Sequence, residues 1–262
     1  MTSYVYELPT TGAVSFSSFA IDSTVENVYT SRIAEATQAR ANMRGVLKQS
    51  RRTDSEVRDY LQIIKVRPPL ASPVHRLPLS QQLLDDYIPH LRGIIACVHS
   101  DDLHLKSEPG ESFVLCPPTW VADRCTLVFS WRTTLSATLF NNSPRLRLPS
   151  LQADLASTLL TYAMALSNFS HSVITSLGAY EFERAISEKE RKEKDERLNF
   201  GVTLLCRASG VFSTISEGVL GELDTVANGG WVRPPDLSKE VNVALAKSAL
   251  FTHSSSARCL PH

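Results

Sequence analysis

Two stretches of this chain, residues 151–177 and 198–217, each carry an apolar stripe at helical spacing, and a helix-on-helix body is what such stripes can build. In the first, Leu155, Leu159, Tyr162, Leu166, Phe169 and Val173 follow one another in steps of four and three residues. In the second, Leu198, Val202, Leu205, Ser209 and Phe212 form one stripe, with Leu204, Ala208, Val211 and Ile215 beside it. A helix apolar on two faces belongs between two neighbours. Its middle reads Arg207-Ala208-Ser209-Gly210-Val211-Phe212. Glycine costs roughly 1 kcal/mol against alanine inside a helix, so the Ser-Gly pair predicts a second backbone packed against Gly210. Cys206, in the same helix, is expected as a small buried filler.

Charge and cysteine use exclude several function classes. The 27 basic and 27 acidic residues cancel, so no global field draws the chain to nucleic acid or to an anionic membrane. The five cysteines, Cys97, Cys116, Cys125, Cys206 and Cys259, are odd in number and lack zinc-ligand spacing, which argues against a zinc site or a disulfide framework. The N-terminus has no basic region followed by an apolar run, so no signal peptide is read there. No uncharged apolar run reaches the roughly 20 residues that span a bilayer; the nearest, 155–177, is interrupted by polar residues. A cytosolic chain is the expectation. The sequons at Asn141 and Asn168 are then chance matches.

Tyr4, Tyr6 and Leu8 alternate, Thr10-Thr11-Gly12 reads as a turn, and Val14 and Phe16 resume the alternation, which predicts a short hairpin. A helix is expected from Asp22, capped by Ser23 or Thr24, through Val25, Val28, Ile33 and Ala36 to about Leu47. A second is expected from Thr53, at capping-box spacing from Glu56, through Val57, Tyr60, Leu61 and Ile64. Ser187 and Glu190 have the same spacing, and Glu188/Lys192, Glu190/Lys194 and Glu193/Arg197 are helix-surface pairs with the acid N-terminal. Gly218, Gly221 and Asn228-Gly229-Gly230 are read as ending that region. Pro234-Pro235-Asp236-Leu237 opens one more helix, with Leu237, Val241 and Leu245 as its stripe. Residues 251–262 have no stripe and read as a disordered tail.

Two segments break the pattern. Residues 66–82 hold Pro68, Pro69, Pro73 and Pro78, and proline cannot continue a helix. Removing them joins Tyr60–Ile64 to the stripe Leu84, Tyr87, Ile88, Leu91, Ile94, Ile95 and Val98 in one amphipathic pattern. Residues 110–128 carry two cysteines and a Pro-Pro pair. The codons available at Val66-Arg67, Gln82, Gly110-Glu111-Ser112 and Ala122-Asp123 admit splice-site-like strings. Both inserts are therefore read as irregular, either unspliced introns translated in frame or natural proline-rich loops.

Candidate catalytic groups do not converge. His99 and His104, with Asp101 and Asp102 between them, fall in what reads as a polar loop and suit a surface pair better than a metal site. His171 sits on the polar flank of its helix, and Trp131 reads as a core aromatic. No nucleophile elbow, zinc-protease helix, phosphate loop or dinucleotide glycine pattern occurs. No catalytic, cofactor-binding or metal residue is assigned, and no cofactor is expected.

Several segments together resemble the fungal PalC family of Bro-domain pH-response regulators. They are PTTGAVSF at 9–16, DYIPHL at 86–91, FSWRTTLS at 129–136, the helix at 150–168, the run at 190–217 and PPDLSKEV at 234–241. The resemblance implies a mainly α, curved, helical-repeat-like Bro-type domain over residues 1–250 with a short N-terminal β element, truncated at its C-terminus. It implies a non-enzymatic adaptor that binds the core filament subunit of ESCRT-III and pH-signalling proteins. Recruited from the cytoplasm to plasma-membrane or endosomal sites through those partners, it would support proteolytic activation of a zinc-finger transcription factor at alkaline pH. The family's ESCRT-III contacts lie beyond the helix that starts at Pro235, so no contact residue is carried over. A generic helical-repeat scaffold or a general endosomal-sorting protein fits the stripes equally well, and an enzyme would need acid, base and nucleophile to meet in the fold.

Overall fold

Ser150 starts the helix around which the others are laid. In the computed structural model, which describes residues 5–50, 60, 63–64, 83–105, 128–135, 144–148, 150–178, 186–226 and 234–257, its Oγ accepts the Gln152 N–H at 3.2 Å and caps a helix spanning Leu151–Thr175. Seven helices are described in chain order: α1 (Phe16–Phe19), α2 (Thr30–Ser50), α3 (Leu83–His99), α4 (Leu151–Thr175), α5 (Glu188–Thr214), α6 (Leu220–Val226) and α7 (Lys239–Ala257). The described molecule is mainly α. Every residue of α4 from Leu151 to Leu166 is buried. The heptad-like stripe accounts for one side only; the other is made of Ala153, Ala156, Ser157, Thr158, Thr161 and Ala165, small enough to let neighbours close in. The buried hydroxyls are satisfied within the helix, Ser157, Thr158 and Thr161 each donating to the carbonyl four residues back at 2.7–2.9 Å.

Each longer helix packs on the next one along the chain: α2 on α3, α3 on α4, α4 on α5 and α5 on α7. Gly178, at φ 65°, ends the turn after α4. Ser187 caps α5 by accepting the Glu190 N–H at 3.2 Å, as its spacing predicts, and Lys194 pairs with Glu190 at 3.5 Å. Antiparallel register between α4 and α5 follows from Arg197 donating to Ser176 Oγ at 2.9 Å and Ser170 donating to the Gly201 carbonyl at 2.7 Å. On the far side of α5, Ser209 donates to the Ala246 carbonyl of α7 at 3.0 Å. The two-stripe reading of α5 is thus correct, but the close approach is elsewhere. A Cβ on Gly210 would meet nothing within 4 Å, whereas one on Gly201 would lie 2.9 Å from Ile174 Cγ1. Gly210 and Cys206 are both exposed. Nor do Gly218 and Gly221 end the helix: a π-turn at Ile215–Val219 passes the chain into α6. The continuous run Glu188–Leu223 is long and apolar enough to cross a bilayer, yet Leu204, Leu205, Ala208 and Phe212 are spent on its neighbours.

The short strands form two small antiparallel sheets. One has the order β1–β4–β5, from Thr10–Thr11, Phe129–Arg132 and Arg145–Leu148; the other pairs β2 (Ala20–Asp22) with β3 (Leu103–Leu105). Among the described residues the expected N-terminal hairpin does not form. Thr10 and Thr11 pair with Arg132 and Trp131, and Phe16 and Phe19 are both buried one helical turn apart on α1. The β element is therefore built from distant strands. The helix expected from Asp22 begins only at Thr30, because the Asp22 carboxylate accepts the N–H groups of Thr24 and Tyr29 at 3.0 and 2.7 Å and Asn27 adopts φ 52°. Val25 and Val28 accordingly face solvent. Strand β3 occupies part of the expected polar loop around His104.

The segment before β1 is tied to α4 by Asn168, whose side chain accepts the Tyr6 N–H at 2.8 Å and donates to the Tyr6 carbonyl at 2.7 Å. That sequon asparagine is buried. At α7 the inward residues are Asn242, Ala246 and Ala249, with Val241 and Leu245 half-buried, and the helix runs on through 251–257, where a structureless tail was expected. Residues 66–82, and all of 110–128 but Val128, lie outside the described residues, as does the expected helix from Thr53 apart from Tyr60, Ile63 and Ile64. The two chain ends flanking the first of these segments meet: Leu84 N–H donates to the Ile63 carbonyl at 3.1 Å.

Candidate functional site

Asp154 enters the interior because it stands in the first turn of α4, the most enclosed helix. Its carboxylate is 0% exposed and is held from three elements. Trp131 Nε1 of β4 and Arg40 Nη2 of α2 donate to Oδ1 at 2.7 and 2.8 Å, and the Tyr87 hydroxyl of α3 donates to Oδ2 at 2.7 Å. Arg40 Nη2 also donates to Thr11 Oγ1 of β1 at 2.8 Å. The guanidinium lies 5.0 Å from the Phe129 ring centre and 5.8 Å from that of Tyr87, and its Nε and Nη1 have no hydrogen-bond partner among the described residues. Burial, and then the Asp154 charge, push the Tyr87 phenol well above its ordinary range, so it stays a proton donor.

Such a junction joins the sheet to three helices and is sealed from solvent. A charge pair this deep has surrendered its hydration, and its worth lies in mutual compensation rather than in reactivity. A second cluster sits nearer the surface. The Tyr162 hydroxyl and Arg207 Nη2 reach Asp85 Oδ1 at 3.2 and 3.4 Å, and the Arg207 guanidinium covers the Tyr162 ring at 5.2 Å. Burial and the neighbouring Asp85 raise the Tyr162 phenol too. A third acid, Asp236, accepts the Leu135 N–H at 2.9 Å, and burial raises its carboxyl above the usual range despite those bonds. These three acids belong to separate places in the fold, each bonded to structural donors.

The sequence-selected residues are equally dispersed. His99 ends α3 on the surface, His104 pairs with Asp101 at 3.4 Å, and His171 Nδ1 lies 3.4 Å from Thr175 Oγ1. Among the described residues no group of three His, Cys, Asp or Glu side chains is placed to hold a metal. Cys97 is half-buried, its thiol raised by that burial and by Asp102; Cys116, Cys125 and Cys259 lie outside the described residues. Trp131 is a core aromatic, as read from the sequence. Arg40 and Asp154 were not singled out, although an aspartate followed by an otherwise apolar helix is a signal of a buried partner.

No family model matches the chain and no solved structure matches it. One curated protein does, the pH-response regulator protein palC of Cryptococcus neoformans var. neoformans serotype D (strain B-3501A), 31% identical over 260 residues. The match takes in 94% of this chain and 45% of that protein, so the chain spans about half the length of the relative. Nearly the whole chain aligns at that identity over a mainly α body, which makes it a PalC-like chain, similar to about half the length of that regulator.

Proposed function

We propose that this chain is a non-enzymatic adaptor of ambient-pH signalling, a Bro-type helical domain that engages the core filament subunit of ESCRT-III and the pH-signalling proteins assembled with it. In that role it supports proteolytic activation of a zinc-finger transcription factor, acting in the cytoplasm and at plasma-membrane or endosomal sites through its partners. The observation that carries the reading is the palC relative, aligned over 94% of the chain. The architecture is compatible with such a role, the successive longer helices each packing on the next.

The test is a pull-down of the purified full chain with the ESCRT-III filament subunit, together with expression of the chain in a fungal strain lacking its palC gene. Capture of the subunit and restored growth at alkaline pH are the expected results. Restored growth without capture would overturn the ESCRT-III assignment and leave the signalling role. Neither result would reduce the chain to a helical scaffold with another partner.

A further inference from the structure

The outer face of the three-stranded sheet concentrates positive charge in a chain with no net charge. Phe129, Trp131 and Leu148 point inward and are buried, with Leu146 half-buried on the same side, which leaves Ser130 and Arg132 of β4 and Arg145 and Arg147 of β5 on the other face. Arg132 stands directly opposite Arg145 and Ser130 opposite Arg147. Like charges directly opposed across a ladder are destabilising. The pair is also of the closer kind. Thr133 N–H donates to the Pro144 carbonyl at 3.1 Å, so alternation makes Arg132–Arg145 a non-hydrogen-bonded pair, whose side chains approach most nearly. None of these three arginines takes part in an ion pair among the described residues. Arg145 Nη1 donates to Ser130 Oγ at 2.9 Å, which lays its guanidinium across the face.

The same alternation decides what the strand edge offers. Pro144, Leu146 and Leu148 turn their backbone groups toward β4, so the N–H and C=O of Arg145 and Arg147 point away from the sheet. Among the described residues strand β5 is the last in the order β1–β4–β5, and none of them pairs with its outer edge. An edge with unpaired backbone groups is a template for one more strand. A second copy of β5 would fit poorly, since self-pairing brings arginine against arginine. An anionic bilayer would meet the charges and leave the backbone groups unused.

We propose that β5 docks an acidic segment in extended conformation, added antiparallel as a fourth strand, with its carboxylates on the face shared by Arg132, Arg145 and Arg147. In that geometry an acidic residue opposite Arg145 or Arg147 turns both its side chain to the arginines and its own N–H and C=O to β5. The residues between turn their amides outward.

The probe is a fluorescein-labelled eight-residue peptide of alternating glutamate and valine, titrated into the full chain by fluorescence polarisation, with two versions N-methylated on either the glutamates or the valines. Methylating the glutamate amides is expected to weaken binding about tenfold or more, and methylating the valine amides by less than about threefold. Arg145→Glu/Arg147→Glu is expected to weaken the unmethylated peptide about tenfold or more, with the far-UV spectrum and melting temperature confirming that this variant folds. Absence of binding by the unmethylated peptide overturns the proposal. So does equal weakening by the two methylations, which means attraction by charge alone. Unchanged affinity in the double variant, or binding of phosphatidylserine vesicles in place of the peptide, overturns it as well.

Discussion

Arg40 and Asp154 show how much a single side chain can commit. Each is fully withdrawn from water, so removing one leaves the other charged and without its partner. Asp154→Ala is expected to cost about 3–5 kcal/mol, the usual penalty for stranding a buried charge, and urea unfolding measures it. At Gly210, the small-residue step proves to be open space, which reverses the expectation drawn from it. Gly210→Ala should stabilise α5 by about 1 kcal/mol, through the ordinary difference in helix propensity. Gly201→Leu should instead destabilise by about 1–3 kcal/mol or more, because its Cβ alone would press on Ile174 from 2.9 Å. Thermal melts of the two variants should move in opposite directions.

Among the elements, the turn at Pro235–Leu237 that leads into α7 is coupled to the end of β4 through one buried carboxyl. Asp236 accepts the Leu135 N–H, and burial holds its carboxyl above the usual carboxylate range. For a carboxyl raised by folding, the native state binds the proton more tightly than the unfolded chain does. Its contribution to stability is therefore greatest below the unfolded pKa and is lost as pH rises through the folded one. Asp236→Asn removes that titration. The stability of the variant relative to the parent should rise with pH from about 4 upward until Asp236 is fully ionised, then level off. Urea midpoints of both proteins across that range measure the difference, and a flat difference would mean that Asp236 titrates as it does in the unfolded chain. Helix α5 shows a simpler case, where the cap read from Ser187 and Glu190 forms as its spacing predicts.

At the scale of the whole molecule, the helices follow one another in space as they do along the chain, and Ile63 and Leu84, on either side of residues 65–82, are hydrogen-bonded to each other. Replacing 66–82 with a linker of about four residues should thus leave the body intact and raise stability by about 1 kcal/mol, since loop-closure cost grows with the logarithm of length. A loss of several degrees in melting temperature would show that the segment packs against the body.

The long helices were legible in the sequence because an amphipathic stripe is a local property. Side chains three and four residues apart share a face in any surroundings, so α3, α4 and α5 and the partner on each side of α5 could be read directly. What a residue meets across space is not local. Alternation at Val14 and Phe16 looked like a strand, but Phe16 and Phe19 found a common core and Thr10–Thr11 found β4 more than a hundred residues away. Val25 and Val28 looked like a buried stripe until the Asp22 side chain took the backbone amides that would have begun a helix there. Gly201 and Gly210 are alike in sequence, and only the position of Ile174 on the neighbouring helix distinguishes them. The Arg40–Asp154 junction likewise joins residues 114 apart in the chain. Periodicity determined which segments would be helices; packing decided which faces, glycines and charges would be enclosed, because burial depends on the neighbours that arrive and not on the stripe that receives them.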